Sequence, residues 1–231
     1  MGSIGSNLQE VKRRIAAACT ASGRGANTVT LLAVSKTFDG AAVREAHAAG
    51  QRAFGENYVQ EALDKIGALA DLRADLQWHL IGPLQSNKTR PVAEAFDWVH
   101  TIDRLKLAER LAAQRPPGLP PLQLCLQVNI SGEASKSGVA PAELPALAGA
   151  VAALPADRVR LRGLMAIPEP AADPQAQRAP HRALAALLRE LNAQGLALDT
   201  LSMGMSADLE AAVQEGSTLV RVGSAIFGTR G

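Results

Sequence analysis

Apolar residues along the chain fall into eight short, dense runs separated by longer stretches in which they recur every three or four positions. Dense short runs read as buried strands, and a three-to-four spacing reads as amphipathic helix. The runs are VTLLAVS (29–35), AFGE (53–56), QWHLIG (77–82), WVHTI (98–102), LQLCLQVNI (122–130), RLRGLMAI (160–167), TLSMG (200–204) and LVRVG (219–223). One helical pattern precedes the first run, over about residues 7–22, and others fill the gaps that follow. Several of these end on glycine, at Gly50, Gly195 and Gly216, as helix C-caps do.

Near-continuous apolar strands alternating with helices predict a parallel sheet covered on both faces. Eight of them in 231 residues predict an α/β fold, a single closed (β/α)8 TIM barrel with an extra N-terminal helix. An open doubly wound sheet is the competing layout, but no G-x-G-x-x-G opens the first helix. PPGLPP (116–121) joins a helix to a strand in the same rhythm, so it reads as a stiff loop. The expectation is one domain over 1–231.

Composition narrows the classes. Hydrophobic residues make up 47% and charged residues 20%, enough for a large core. Aromatic residues are only 3%, which argues against stacking platforms for single-stranded nucleic acid. The net charge of +2 is spread along the chain and names no polyanionic partner. No apolar run reaches membrane-spanning length, and the N-terminus lacks the apolar core of a signal peptide. Cys19 and Cys125 sit in no paired spacing and read as reduced, buried small hydrophobes. A soluble cytoplasmic protein is expected, with neither nucleic acid nor membrane as partner.

In barrels of this kind chemistry gathers at the C-terminal ends of the strands. Those ends carry Lys36, then Glu56 and Asn57, His79, Thr101, Asn129, Met165, the segment Ser202 to Ser206, and Arg221 with Gly223 and Ser224. A lysine after a strand is usually a solvated loop residue. Held in a mouth with other polar groups it loses hydration, its pKa falls, and its amine can attack an aldehyde to form a Schiff base. The loops after strands 7 and 8 are where barrels hold phosphate, and here they read SMGMSADLEAA and RVGSAIFGTRG. Ser206 reads as an N-cap for a helix beginning near Ala207, and Gly223-Ser224 as a second short turn. Lysine at strand 1 and a phosphate cradle at strands 7 and 8 are neighbours in a closed barrel. Pyridoxal 5′-phosphate, an aldehyde carrying a phosphate, fits both. Arg221, permanently charged, would donate to the pyridine nitrogen and leave the ring neutral.

The segments AVSKT, FGENYVQEALDK, WHLIGPLQSNK, GLMAIP and LSMGMSADLEAAVQEGSTLVRVGSAIFG span nearly the whole chain. With them the sequence closely resembles the pyridoxal phosphate homeostasis proteins. The resemblance implies a barrel like the N-terminal domain of alanine racemase, with the cofactor on the lysine of SKT, Lys36. It also implies phosphate contacts at Met205, Ser206, Gly223 and Ser224, and Arg221 facing the pyridine nitrogen. Asn57 and His79 complete the candidate cofactor-binding set. The resemblance implies a carrier or regulator of vitamin B6 and amino-acid balance, without an established reaction. A monomer is expected because there is no room for the racemases' second domain, and apo pyridoxal phosphate-dependent enzymes are the expected recipients. Many bacterial relatives carry a second lysine where this chain has Phe38, so no role for such a lysine transfers. Lys136, in SKSG, is a solvated loop lysine or a transient holder of cofactor.

Two enzyme readings stand beside the carrier. An amino-acid racemase needs a second acid/base opposite the lysine, usually a tyrosine. The chain's only tyrosine, Tyr58, follows strand 2 and is expected to pack or cap locally; His79 is the other conceivable base, or a hydrogen-bonded structural histidine. A Schiff-base aldolase would use Lys36 directly on a sugar-phosphate ketone.

Overall fold

The computed structural model describes residues 2–132 and 137–228. Lys136 lies outside the described residues. In chain order the elements are α1 (Ile4–Ala21), β1 (Thr30–Val34), α2 (Gly40–Ala48), β2 (Ala53–Glu56), α3 (Val59–Ala68), β3 (Gln77–Leu80), α4 (Thr89–Ala95), β4 (Trp98–Ile102) and α5 (Leu105–Gln114). They continue with β5 (Leu122–Gln127), α6 (Leu144–Ala152), β6 (Val159–Met165), α7 (Pro174–Ala193), β7 (Thr200–Ser202), α8 (Leu209–Gln214), β8 (Leu219–Val222) and α9 (Ser224–Phe227). All eight expected strands are present in their expected places. The strands are parallel and ordered β1 to β8, with β1 also paired to β8, so the sheet closes into a barrel.

The helices start and stop where backbone chemistry dictates. Ser3 and Asp39 cap α1 and α2, accepting the Ser6 and Ala42 N–H groups. Gly50, Gly195 and Gly216 take the expected left-handed backbone, with φ of 89°, 100° and 104°. The sequence pattern HRALAALLRELNAQG (181–195) predicts a helix from His181, but α7 begins seven residues earlier, at Pro174, because Asp173 caps it through the Ala176 N–H and the helix runs through Pro180. A proline seven positions into the helix lacks the backbone N–H of a regular turn and looks like a boundary in sequence, yet the helix continues on both sides of it.

Two apolar layers result. Outward-facing strand residues and the inner faces of the helices form one large cluster. Alternate positions point into the barrel and form two separate small clusters: Leu32, Val34, Ala53, Ile81 and Leu219, and Trp98, Cys125 and Met165. Both cysteines are free and buried, and burial pushes the Cys125 thiol up to about 12. Between β6 and β7 the chains approach so closely that a Cβ on Gly163 would lie 1.8 Å from the Thr200 carbonyl oxygen.

α1 packs its stripe of Leu8, Val11, Ile15, Ala18 and Cys19 inward and reaches the far end of the chain through polar contacts. Asn7 donates to the Ile226 carbonyl at 2.9 Å, and Arg14 to the Ser206 carbonyl at 3.0 Å. Arg24, just beyond the helix, donates to the carbonyls of Val213 and Ser217 at 2.7 and 2.8 Å. No helix among the described residues is long and apolar enough to cross a membrane.

Candidate functional site

A cavity of about 670 Å³ opens at the C-terminal mouth of the barrel. It brings together Lys36, Asn57, Met205, Ser206, Arg221, Gly223 and Ser224, from the ends of strands 1, 2, 7 and 8. These are seven of the eight residues expected from sequence.

Lys36 follows β1 directly. The Ser35 N–H continues the ladder to the Gly55 carbonyl at 3.0 Å, and Phe38 then donates back to the Ser35 carbonyl at 3.1 Å, making a tight turn. Thr37, inside that turn, has φ of 67°, left-handed backbone that a β-branched residue rarely adopts. Among the described residues Lys36 Nζ makes no hydrogen bond or ion pair. Lys36 is thus a half-buried residue with an unpartnered amine, next to a left-handed turn residue, which makes it a candidate anchor for a ligand.

Opposite it, the two loops after β7 and β8 present unused donors. The backbone N–H groups of Ser206, Ala207, Gly223 and Ser224 donate to nothing among the described residues. A Cβ on Gly223 would sit 3.2 Å from the Val34 carbonyl oxygen, so glycine lets this turn come close to β1. Ser206 does not cap a helix, contrary to expectation. α8 starts three residues later, at Leu209, and Asp208 occupies the cap position. Asp208 shapes the turn instead: its Oδ1 accepts the Met205 N–H at 2.7 Å and its Oδ2 pairs with His181 Nε2 at 2.9 Å. Those bonds hold the Asp208 carboxyl below its ordinary value against the opposing effect of burial.

Arg221 is buried to 4% exposure, and no carboxylate touches it. It donates to the Ser202 carbonyl at 2.6 Å, the Ser202 hydroxyl at 2.8 Å and the Ala166 carbonyl at 2.9 Å. Burial pulls its pKa down to about 10, so it stays cationic at neutral pH. Two of its five N–H donors remain for whatever fills the cavity.

His79 does not line this cavity. Inward-facing positions on β3 run Gln77, His79 and, just past the strand, Ile81; Ile81 reaches the mouth and His79 sits one layer below. Its ring stacks on Trp98 at 5.3 Å and its Nδ1 lies 2.9 Å from His100 Nε2. His100 Nδ1 in turn lies 2.8 Å from the Ser202 hydroxyl. Direction follows from the far end: Gln77 Oε1, 3.4 Å from His79 Nε2, can only accept, so neutral His79 carries its proton there, its Nδ1 accepts from His100 Nε2, and His100 Nδ1 accepts from the Ser202 hydroxyl. Both imidazoles are neutral, since burial pulls His79 down to about 3 and His100 well below its ordinary value. Tyr58 occupies the cap position of α3 without a side-chain cap bond and is 54% exposed. Phe38 stacks on Phe227, ring centroids 5.1 Å apart, beside the cavity.

Sequence reading missed Ser202 as a partner of Arg221, along with His100, Asp208 and His181. A serine inside a strand and a histidine far away in sequence give no local signal; only barrel closure brings them together. No group of three metal-ligating side chains occurs among the described residues.

Fold and site together define a barrel of the alanine racemase N-terminal type. The family model described as "Alanine racemase, N-terminal domain" matches residues 6–231. The chain is 64% identical over 230 residues to the pyridoxal phosphate homeostasis protein of Pseudomonas aeruginosa, covering 100% of this chain and 97% of that one. It is 55% identical over 231 residues to the protein of the same name from Escherichia coli K12, covering 100% and 98%. Among solved structures, PipY of Synechococcus elongatus PCC7942 with PLP bound superposes with a TM-score of 0.84 at 40% identity, covering 98% of this chain and 100% of that one. Alanine racemase from Corynebacterium glutamicum shares the fold alone, with a TM-score of 0.67 at 18% identity over 96% of this chain and 62% of that one. The chain belongs to the pyridoxal phosphate homeostasis protein family.

Proposed function

We propose that this chain binds pyridoxal 5′-phosphate in the barrel mouth, held as a Schiff base on Lys36, and serves vitamin B6 homeostasis as a carrier or regulator without robust catalysis. The observation that carries the reading is the pairing of an unpartnered Lys36 with unused N–H donors across one cavity. Relatives named for pyridoxal phosphate homeostasis and a PLP-bound PipY structure support it.

When bound, the cofactor supplies an aldehyde that condenses with an amine, releasing water, and a ring that can accept electrons. The residues divide the remaining work. Ser206 and Ser224, with the unused N–H groups of Ser206, Ala207, Gly223 and Ser224, hold the phosphate oxygens. Arg221 donates to the pyridine nitrogen; as a cation cradled by neutral oxygens it gives no proton away, which keeps that nitrogen unprotonated and the ring a weak electron acceptor. Met205 walls the ring. Asn57, whose buried Oδ1 has no partner among the described residues, is placed to accept a hydrogen bond from the ligand. Lys36 would leave no free aldehyde, and exchange with another amine would release the cofactor to recipient apo-enzymes.

Lys36 and Arg221 are the only titratable side chains among the described residues lining the cavity, which favours a carrier over a racemase with its two opposed bases. We place the carrier in the cytoplasm, as a monomer and as one domain. Borohydride treatment of the pyridoxal phosphate-loaded protein, followed by peptide mapping, should put pyridoxyl mass on Lys36. Trapping only with a ketose phosphate would instead support an aldolase. Exchange of amino-acid α-protons in deuterated water at ordinary enzyme rates would overturn the non-catalytic assignment.

A further inference from the structure

The segment FGENYVQEALDK contributes Asn57 to the mouth, but its charged residues have no part in the cavity wall. Glu56 ends β2, and Glu61 and Lys65 lie four apart on one face of α3. Lys65 is buried, its side chain 4% exposed, against a Glu56 side chain that is 0% exposed. Its ammonium spends all three donors: on Glu56 Oε1 at 2.6 Å, the Ser35 carbonyl at 2.8 Å and Glu61 Oε1 at 3.2 Å. Glu56 Oε1 also accepts the Ser35 hydroxyl at 2.6 Å. Glu61 Oε1 also accepts the Thr37 N–H at 2.5 Å.

The residue before Lys36 is therefore gripped at its carbonyl and hydroxyl, and the residue after it at its amide. Lys36 itself is touched by none of the three. A buried ion pair adds little net stability, and left-handed backbone at a threonine is unfavourable. Both features fall on the one turn that carries Lys36.

We infer that Glu56, Glu61 and Lys65 are positioning residues that aim the Lys36 amine at the aldehyde carbon, by clamping the backbone on either side of it. The inference rests on the reading that Lys36 forms the linkage. In that step the neutral amine adds its electron pair to the aldehyde carbon, and the oxygen leaves as water with the two amine protons. The clamp sets the direction of approach and leaves the ring and phosphate contacts alone.

The test uses two probes on the full chain: pyridoxal phosphate, and 4-deoxypyridoxine 5′-phosphate, which keeps ring and phosphate but has no aldehyde. Glu61→Ala, at a half-buried helix position, removes the grip on Thr37; Glu61→Gln restores an acceptor there. Glu61→Ala should slow appearance of the imine absorbance by about tenfold or more, as expected for a misaimed nucleophile. Glu61→Gln should recover most of the rate, and affinity for the deoxy analogue should stay at the wild-type value in both. Lys65→Met should show the same split between the two probes; the Glu61 variants decide the matter whether or not Lys65→Met folds. A wild-type imine rate in Glu61→Ala overturns the proposal, as does a parallel loss of the deoxy analogue. Failure of the wild-type protein to form any imine on Lys36 overturns the cofactor reading itself, and is seen before any variant is compared.

Discussion

One methyl group at Gly82 should damage the site without touching a site side chain. An ideal Cβ there would lie 2.0 Å from the Asn57 carbonyl oxygen and 2.6 Å from its carbonyl carbon and Cα, where real Cβ contacts stay beyond 3.0 Å. Something must move by at least about 1 Å, and little is free to do so. The Thr101 hydroxyl holds the Gly82 carbonyl at 2.8 Å, and the Ile81 N–H holds the Glu56 carbonyl at 2.9 Å. Overpacking of this kind costs about 1–3 kcal/mol, which for a chain of this size lowers Tm by roughly 3–10 °C. A displacement of about 1 Å at a positioned group costs on the order of a hundredfold in function, so pyridoxal phosphate retention should fall by about that factor. Gly149→Ala in α6 is the matched control, since its Cβ would meet nothing within 4 Å and its φ is ordinary. That change should raise stability by about 0.5–1 kcal/mol and leave retention alone. Thermal unfolding by circular dichroism and equilibrium dialysis of the cofactor read both quantities. A Gly82→Ala protein that melts and retains cofactor like the wild type would refute the close-approach reasoning.

Lys36→Ala should abolish the imine absorbance while changing stability by no more than about 0.5 kcal/mol, because the amine has no partner to lose; a large drop in urea midpoint would show that Lys36 braces the fold. Ser206→Ala combined with Ser224→Ala should weaken cofactor retention yet preserve trapping on Lys36 at high cofactor concentration, as read by mass spectrometry after borohydride. Unchanged retention would move the phosphate elsewhere. His79 and His100 stay neutral in the fold but take protons near pH 6.5 when unfolded, so the unfolded state binds more protons in between. Stability should therefore climb as pH rises from about 3 to 6.5, and His79→Gln with His100→Gln should flatten that limb in urea titrations. An unaltered slope would contradict neutral burial of the pair.

The chain's alternation of dense apolar runs and spaced ones carried the architecture because a strand buried on both faces has no polar side to blur its signal. Lys36, Arg221 and the Ser206 and Ser224 loops were legible for a related reason: polar residues at the ends of apolar strands stand out, and barrel geometry says those ends meet. His79 failed the same test by one layer. A strand end in sequence is uncertain by two residues, and two residues separate the cavity mouth from the packed interior. Ser206 was misread as a cap because serine before an alanine-rich stretch is a good local start signal, whereas the Asp208 contacts to Met205 and His181 are set by α7. The chain from Arg221 through Ser202 to His100 and His79 was invisible for want of any short-range signature.

The contacts from α1 to Ile226 and Ser206, and from Arg24 just beyond it to Val213 and Ser217, stitch an early segment of the sequence to a late one, and the seam between the first and eighth strands does the same for the sheet. On the ribosome the leading helix must wait, its docking partners still untranslated. The turns after β7 and β8 thus reach their places only when residues far apart in sequence have met, so the cavity mouth is assembled by the closure of the whole barrel.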